Sequence, residues 1–571
     1  REIKISQDFP GRNILSSFDI DSNNNIWIAW INQAEKDRSL IVFEGEHERT
    51  WVIEVQEQFS IYSLKILCDD HGQVWVFWAQ YQSDSYEIKV RRFDNRIWGD
   101  TECINLDTAF PVLSLDAHLD PYGRPWVVWS AYDGRDYEIY LTNWDSFYWK
   151  PQLKITHNES LSDVSPRLTF DEKTPLIIWN QIGLDSRVCL KFRSGNIWSK
   201  TGYLKDFSGF NRNPQIAVFN NSYTIIWQNV TLQGTEIKFE NIGRDRLANF
   251  RHRVSSREAL RVNIPFHGNR NRLQVLIKDR YSAVGDSITY GVVARRWFPE
   301  KGYVPRLETL LKAYLDSPRI LNRGVPGEQT WEGLARLENI IQTDQSKYLL
   351  LMEGTNDMFA GIPENIAAFN IEEMVKKAIQ HRVYPLVATI IPRSDDNWES
   401  DIQKATRQYN ELVRKIPPEY YIPLVDQNNI FVSHPNGYLA LFSDGAHPNE
   451  LGYQVMAEAW LGEIKKLPLP PIGIEVQHQV NQILFYDEHI NVITWKENPD
   501  FSGEIPYKKY HIFRKQVNPG EKAFVLIQTV DSNTFNYIDR DILASQTFVY
   551  HIQAENSDGV RGPVSQSVYD R

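Results

Sequence analysis

Cysteine is scarce, with only Cys68, Cys103 and Cys189 in 571 residues. None belongs to a Cys-x-x-Cys pair, so no zinc or dithiol motif is visible, and an odd number argues against a full disulfide framework. Each lies in an apolar, strand-like context and reads as a buried thiol. Long hydrophobic runs are also missing. No apolar stretch reaches the ~18–20 residues of a membrane span, and the longest, such as Tyr348–Met352, read as buried strands. Positive charge is not in excess. The net charge is −11, which argues against a non-specific grip on nucleic acid or on polyanionic lipid, since either needs clustered Lys and Arg. His-Glu-x-x-His and the phosphate-cradling Gly-x-x-x-x-Gly-Lys are absent, as is the Gly-x-Ser-x-Gly elbow. No metal and no cofactor is implied. The chain opens at Arg1 without an initiator Met or a signal peptide, so either a leader has been removed or the sequence has been trimmed. Aromatic-rich all-β flanking modules accompany exported proteins, so an extracytoplasmic location is expected.

What is present divides into three patterns, in keeping with the two to four domains expected of this length. In the first 240 residues, segments ending at Trp30, Trp78, Trp129, Trp179 and Trp227 recur about every 50 residues, and a second series follows at Trp51, Trp98, Trp149 and Trp198. Turn chemistry at Asp21, Asp70 and Asp120 precedes the first three segments. Each unit reads as four short strands, the pattern of a propeller blade. The fifth unit lacks a fourth strand after Glu236-Ile-Lys-Phe, and residues 2–6 match the missing piece. Five blades over residues 1–242 are therefore expected, with the N-terminal strand completing the last and removing exposed strand edges. The tryptophans are read as packing between blades rather than as sugar contacts. Residues 243–277, rich in Arg, are read as a connector.

From residue 278 the period changes. Apolar strands at Tyr281–Val284, Arg319–Asn322, Tyr348–Met352, Tyr384–Ile391 and Tyr421–Val425 alternate with helical patterns at Tyr303–Leu315, Trp331–Gln342, Glu364–His381, Asp401–Lys415 and Glu450–Lys465. The alternation predicts a parallel sheet covered by helices, with ligands at the carboxyl ends of its strands. Four unusual segments fall there: Gly285-Asp286-Ser287-Ile288, Asn322-Arg-Gly-Val-Pro-Gly327, Gly354-Thr355-Asn356-Asp357 and Asp444-Gly-Ala-His447. Ester cleavage needs a nucleophilic oxygen, a base, a group that orients the base, and donors for the oxyanion. Ser287, His447 and Asp444 can fill the first three places. Of thirteen histidines, only His447 has an aspartate three residues before it. The N–H groups of Ser287 and Gly327 and the amide of Asn356 can act as donors. Asp286 reads as a structural hydrogen-bonding group. Trp331, Met358 and Phe359 either line the acyl or leaving-group side or pack in the core. After the proline-rich joint at Leu467-Pro-Leu-Pro-Pro, strands without helical pattern fit a seven-stranded sandwich, with Trp495 in its core.

In order and placement, the four segments resemble the SGNH (GDSL-like) hydrolase family, including its thioesterase and lysophospholipase members. The resemblance spans residues 278–467 and implies a flavodoxin-like α/β fold. It carries the nucleophile onto Ser287, the oxyanion hole onto Gly327 and Asn356 together with Ser287, and the remaining pair onto Asp444 and His447. The first motif reads Gly-Asp-Ser-Ile where Gly-Asp-Ser-Leu is usual, and Gly324 is a second candidate glycine that aligns less well. Residues 468–571 resemble a fibronectin type III domain, with Phe548 at the position usually held by a corner tyrosine. The expectation is a serine esterase that removes short or acetyl groups from carbohydrate-linked esters, its propeller or sandwich contacting polymer or other protein. The alternatives are a lysophospholipase- or thioesterase-like lipid acyl hydrolase, or a glycan-binding adhesion protein with a vestigial hydrolase domain.

Overall fold

The computed structural model describes Ile5, Phe9 and residues 12–243 and 277–570, apart from 34–36, 58–59, 71, 83–84, 95, 106–107, 159–160, 184–185, 196, 205–209, 220–221, 232–233, 316, 395–399, 484–485, 500–504, 518–523, 541 and 544. The connector expected at 243–277 therefore lies almost wholly outside the described residues. So does the expected closing strand at residues 2–6, apart from Ile5, which packs with Phe9 on Trp30, Ile41 and Phe43. The chain forms two compact units, one mainly from residues 1–273 and the other mainly from 274–571.

Among the described residues the first unit contains five antiparallel sheets, over residues 12–57, 60–103, 112–154, 162–203 and 210–243. Each sheet coincides with one sequence repeat. The fifth has three strands among the described residues. The same bonds recur between neighbouring sheets. The N–H of Ile66 donates to Ser17 Oγ (3.1 Å) and that of Leu115 to Ser63 Oγ (3.2 Å), while Cys68 N–H donates to Asp19 (2.9 Å) and Leu168 N–H to Asp116 (3.0 Å). A small polar side chain on the first strand of one repeat thus satisfies backbone of the next. The first Trp series is buried, with Trp78, Trp129, Trp179 and Trp227 among the largest fully buried side chains, as packing requires, whereas Trp51, Trp98, Trp149 and Trp198 are half-buried. Where the repeat places a turn, Asp21 and Asp120 accept backbone N–H groups two and four residues on. In the second repeat Asp69, not Asp70, does this, accepting from Gln73 N–H at 2.8 Å.

The second unit contains a five-stranded parallel sheet. Its strands are β1 (Ile277–Gly285), β2 (Arg319–Gly324), β3 (Ser346–Met352), β4 (Tyr384–Ala388) and β5 (Leu424–Val425), in the order β2-β1-β3-β4-β5. The helices are α1 (Ser287–Tyr290), α2 (Tyr303–Leu311), α3 (Thr330–Asp344), α4 (Thr355–Ala360), α5 (Glu364–Gln380), α6 (Asp401–Val413), α7 (Ile416–Tyr420), α8 (Gln427–Val432) and α9 (Glu450–Lys465). Four of them, α1, α4, α7 and α8, are short turns absent from the sequence reading. Two strands are shorter than expected. Beyond Ala388 the chain leaves the sheet, and Ile390 N–H bonds the Asn410 side chain instead (3.0 Å). Before Leu424, Pro417 and Pro418 start α7, and Tyr421 ends it in the left-handed region at φ 56°.

Register puts Gly285, Gly324 and Met352 side by side at the carboxyl edge. Gly324 is required there, because a Cβ would lie 2.2 Å from the backbone nitrogen of Tyr290 in α1. Among the described residues, 472–569 supply seven strands in two antiparallel sheets that share one core, including Trp495, Tyr510, Phe548 and Tyr550. Phe548 lacks a hydroxyl. Tyr550, two residues on, carries the buried one, donating to Asp539 (2.8 Å) and accepting from Asn491 (2.8 Å). Arg561 ties these sheets to the parallel-sheet region, with its guanidinium 3.6 Å from the centre of the Tyr421 ring and its N–H on the Tyr421 carbonyl (2.8 Å).

Replacing Trp179 with Ala removes a fully buried indole that also donates to buried Asp163 (2.7 Å). This is expected to destabilise the first unit by about 3–5 kcal/mol, seen in urea unfolding as an earlier transition.

Candidate active site

The end of β1 turns directly into α1. Asp286 caps this single turn, its Oδ1 accepting from Ile288 N–H at 2.8 Å, and Gly291 closes it in the left-handed region. Ser287 is therefore the first residue of α1 and is half-buried. Its Oγ lies 2.9 Å from His447 Nε2. On the other side of the ring, Nδ1 lies 3.0 and 2.9 Å from the two carboxylate oxygens of Asp444. With the Nδ1 proton directed at the carboxylate, Nε2 is left to accept the serine proton.

Backbone holds the Asp444 side chain. Oδ1 accepts the N–H groups of Ala446 and His447, each at 2.9 Å, and Oδ2 accepts that of Arg295 at 3.0 Å. Part burial pushes the Asp444 pKa up, but the N–H bonds and the imidazole outweigh it and leave it below the ordinary carboxylate value. The loop is fastened at several further points. Ser443 N–H donates to the His447 carbonyl (2.8 Å), Ala294 N–H to Ser443 Oγ (2.9 Å) and Ser394 Oγ to the Asp444 carbonyl (2.6 Å). Asn449, not Asp444, caps α9, accepting from Gly452 N–H at 3.0 Å.

The sequence reading missed the hairpin Val292–Trp297 that supplies two of these donors. Its tip residues Ala294 and Arg295 have φ of 48° and 61°. Neither is a residue type that announces a left-handed turn, so the local sequence carries no signal for it. Ser394 was missed as well, because its partner is 50 residues away in the chain.

The remaining candidates follow the neighbouring strands. Gly327, after β2, has φ of 78°, a conformation glycine adopts without a Cβ clash. Asn356, second residue of α4, donates through Nδ2 to the Glu328 carbonyl (2.8 Å) and makes a long 3.5 Å contact to Asp286 Oδ2. These two bonds link the Asn356 amide to the segment after Gly327 and to the residue preceding Ser287. Asp286 itself is almost wholly buried. Burial pushes its pKa up to about 7, against the Ile288 N–H that favours the anion. Asp357 is buried beside α3, where it accepts from the Thr330 N–H (2.9 Å) and hydroxyl (2.6 Å), and burial pushes it up to about 7 too. Of the three candidate lining residues, Trp331 and Met358 are buried in the core, whereas Phe359 is 57% exposed.

A hydroxyl, an imidazole and a carboxylate in one hydrogen-bonded line can carry acyl transfer. Residues 283–455 match the GDSL-like Lipase/Acylhydrolase family. An acetylxylan esterase of Geobacillus stearothermophilus is 27% identical over 203 residues, covering 32% of this chain and 91% of the relative. An uncharacterised lipoprotein of Bacillus subtilis is 28% identical over 188 residues, covering 27% of this chain and 73% of the relative. Among solved structures, the acetylxylan esterase Axe2 of Geobacillus stearothermophilus superposes with a TM-score of 0.30 at 21% identity, over 34% of this chain and 96% of its own. The protein is a carboxylic ester hydrolase. More narrowly, it carries a GDSL-like lipase/acylhydrolase domain of the SGNH kind.

The lowered pKa of Asp444 has a testable sign. A depressed carboxylate contributes stability above its unfolded pKa of ~4, and that contribution is lost as pH falls through the folded value. Asp444→Asn is therefore expected to melt below the wild type at pH 7, with the gap narrowing at pH 3. Thermal unfolding at the two pH values measures this.

Proposed function

We propose that the protein is a serine esterase that cleaves short acyl, chiefly acetyl, esters of carbohydrates through an acyl-enzyme intermediate. In this reading Ser287 is the nucleophile. His447 takes the hydroxyl proton as Oγ bonds the acyl carbon, then gives it to the departing sugar oxygen as the old C–O bond breaks. Water, deprotonated by the same imidazole, releases the carboxylic acid and restores the serine. Asp444 holds the ring and stabilises its charged form. The N–H groups of Ser287 and Gly327 and the Asn356 amide receive the oxyanion, each such donor being worth ~3–4 kcal/mol in the transition state.

The observation that carries this reading is the 2.9 Å approach of Ser287 Oγ to an imidazole whose other nitrogen faces a carboxylate. The carbohydrate preference is supported by the name of the Geobacillus relative, whose length is almost fully spanned.

The reading extends to the flanking regions. Residues 1–242 form a five-bladed propeller, 278–467 the catalytic domain and 468–571 a fibronectin type III-like domain. The repeat-to-repeat bonds of Ser17 and Ser63 support the propeller. Such modules suit a large polymer met outside the cytoplasm, and one relative is a lipoprotein by name. Among the described residues no helix is long and apolar enough to cross a membrane.

Rapid hydrolysis of p-nitrophenyl acetate is expected, with activity falling as the acyl chain lengthens. Ser287→Ala is expected to lower kcat at least about a thousandfold. Surviving turnover in that variant would refute the assignment of Ser287, and a preference for long chains would favour a lipid substrate.

A further inference from the structure

The Asn356 amide is already engaged in this structure. Its Nδ2 carries two hydrogens and meets two protein acceptors, the Glu328 carbonyl at 2.8 Å and Asp286 Oδ2 at 3.5 Å. An oxyanion would be a third acceptor for the same nitrogen. The Glu328 bond is short, and its acceptor is backbone of the segment after Gly327. The Asp286 contact stands at the outer limit of hydrogen-bond length and is the weaker of the two.

Asp286 is placed to govern an exchange at that weaker contact. It directly precedes Ser287, and its Oδ1 is taken by the Ile288 N–H (2.8 Å), which caps α1. Its Oδ2 faces Asn356. The side chain is almost wholly buried, so water screens its charge poorly. As an anion, Oδ2 attracts the amide hydrogen and opposes negative charge developing on a nearby acyl oxygen. With a proton on Oδ2 both effects fall away, while Oδ1 still caps α1.

The groups around Asp286 bring this proton into the neutral range. Burial pushes the carboxyl up to about 7; Glu328 adds to the rise, and the Ile288 N–H and the Thr355 hydroxyl oppose it. The phenols of Tyr303, Tyr409 and Tyr453 also feel the Asp286 charge, but burial raises all three and they stay neutral. At the next residue, Ser287 Oγ bonds the His447 imidazole (2.9 Å), whose loss of a proton is the other titration in the site.

We propose that Asp286 is a proton-dependent latch on the oxyanion hole. As a carboxylate it retains the Asn356 amide, and as a neutral carboxyl it releases that amide to the acyl oxygen. Asp286 is thus a positioning residue that acts through Asn356, not a general base. The inference rests on the esterase reading above and adds to it the pH range in which the site works.

The test measures kcat and KM of the full chain on p-nitrophenyl acetate between about pH 6 and 9, corrected for spontaneous hydrolysis. On the acid side, kcat is expected to rise in every form as His447 becomes neutral. On the alkaline side, the wild type is expected to lose about tenfold in kcat by about pH 9, at nearly constant KM, as Asp286 ionises. Asp286→Asn keeps an oxygen to cap α1 and cannot ionise. Its kcat is expected to change less than about twofold over the same alkaline span. Asn356→Ala is expected to lower kcat about a hundredfold and to lose most of the alkaline fall, which keeps the test decisive should Asp286→Asn fail to fold. A wild-type kcat level to about pH 9, an equal fall in Asp286→Asn, or an undiminished fall in Asn356→Ala would overturn the latch. Any of these leaves ester hydrolysis standing, whereas no turnover by the wild type at any pH would remove the esterase reading itself.

Discussion

The Asp444 carboxylate is the point on which the site's geometry depends. It faces His447 Nδ1 and accepts three backbone N–H groups, two from its own loop and one from the Val292–Trp297 hairpin. An ionised carboxylate with so many donors is held in place and stays ionised. That leaves the imidazole one tautomer and one orientation, with Nε2 facing Ser287. The hairpin and the last loop are about 150 residues apart in the chain, and their bond brings the segment after Ser287 and the segment containing His447 into a fixed relation.

The sheet supplies the second constraint. Parallel register brings the ends of β1, β2 and β3 level, so Ser287, Gly327 and Asn356 leave the sheet at one edge. Close packing of α1 on β2 is possible only because Gly324 has no side chain. Two nearby aspartates, Asp286 and Asp357, are spent on this framework. Each accepts backbone N–H groups at the start of a helix, and burial raises both towards neutrality. Gly324 and Gly327 thus have different tasks, close packing for the first and a left-handed turn for the second.

Much of this was legible in the residues. The Trp series marked five sheets because indoles at fixed positions fill the space between repeats. The long helices were legible because each carries an apolar stripe, and the last runs Glu450–Lys465 as its pattern predicts. Helices such as α1 and α4 are too short to carry a period, and α1 forms where Asp286 caps its first turn and Gly291 closes it. The left-handed tip at Ala294 and Arg295 is dictated by tertiary contacts, so no local reading finds it. The exchange of Asp70 for Asp69 as the turn residue has a similar origin, since two adjacent aspartates look alike until register decides which one faces the turn.

The account's central claim is that the imidazole of His447 makes Ser287 nucleophilic. Labelling with a fluorophosphonate, followed by mass analysis of the peptides, tests it directly. The account predicts one phosphonyl group per chain, on Ser287, and loss of that label in His447→Asn. Labelling at another residue, or equal labelling with and without the imidazole, would contradict it.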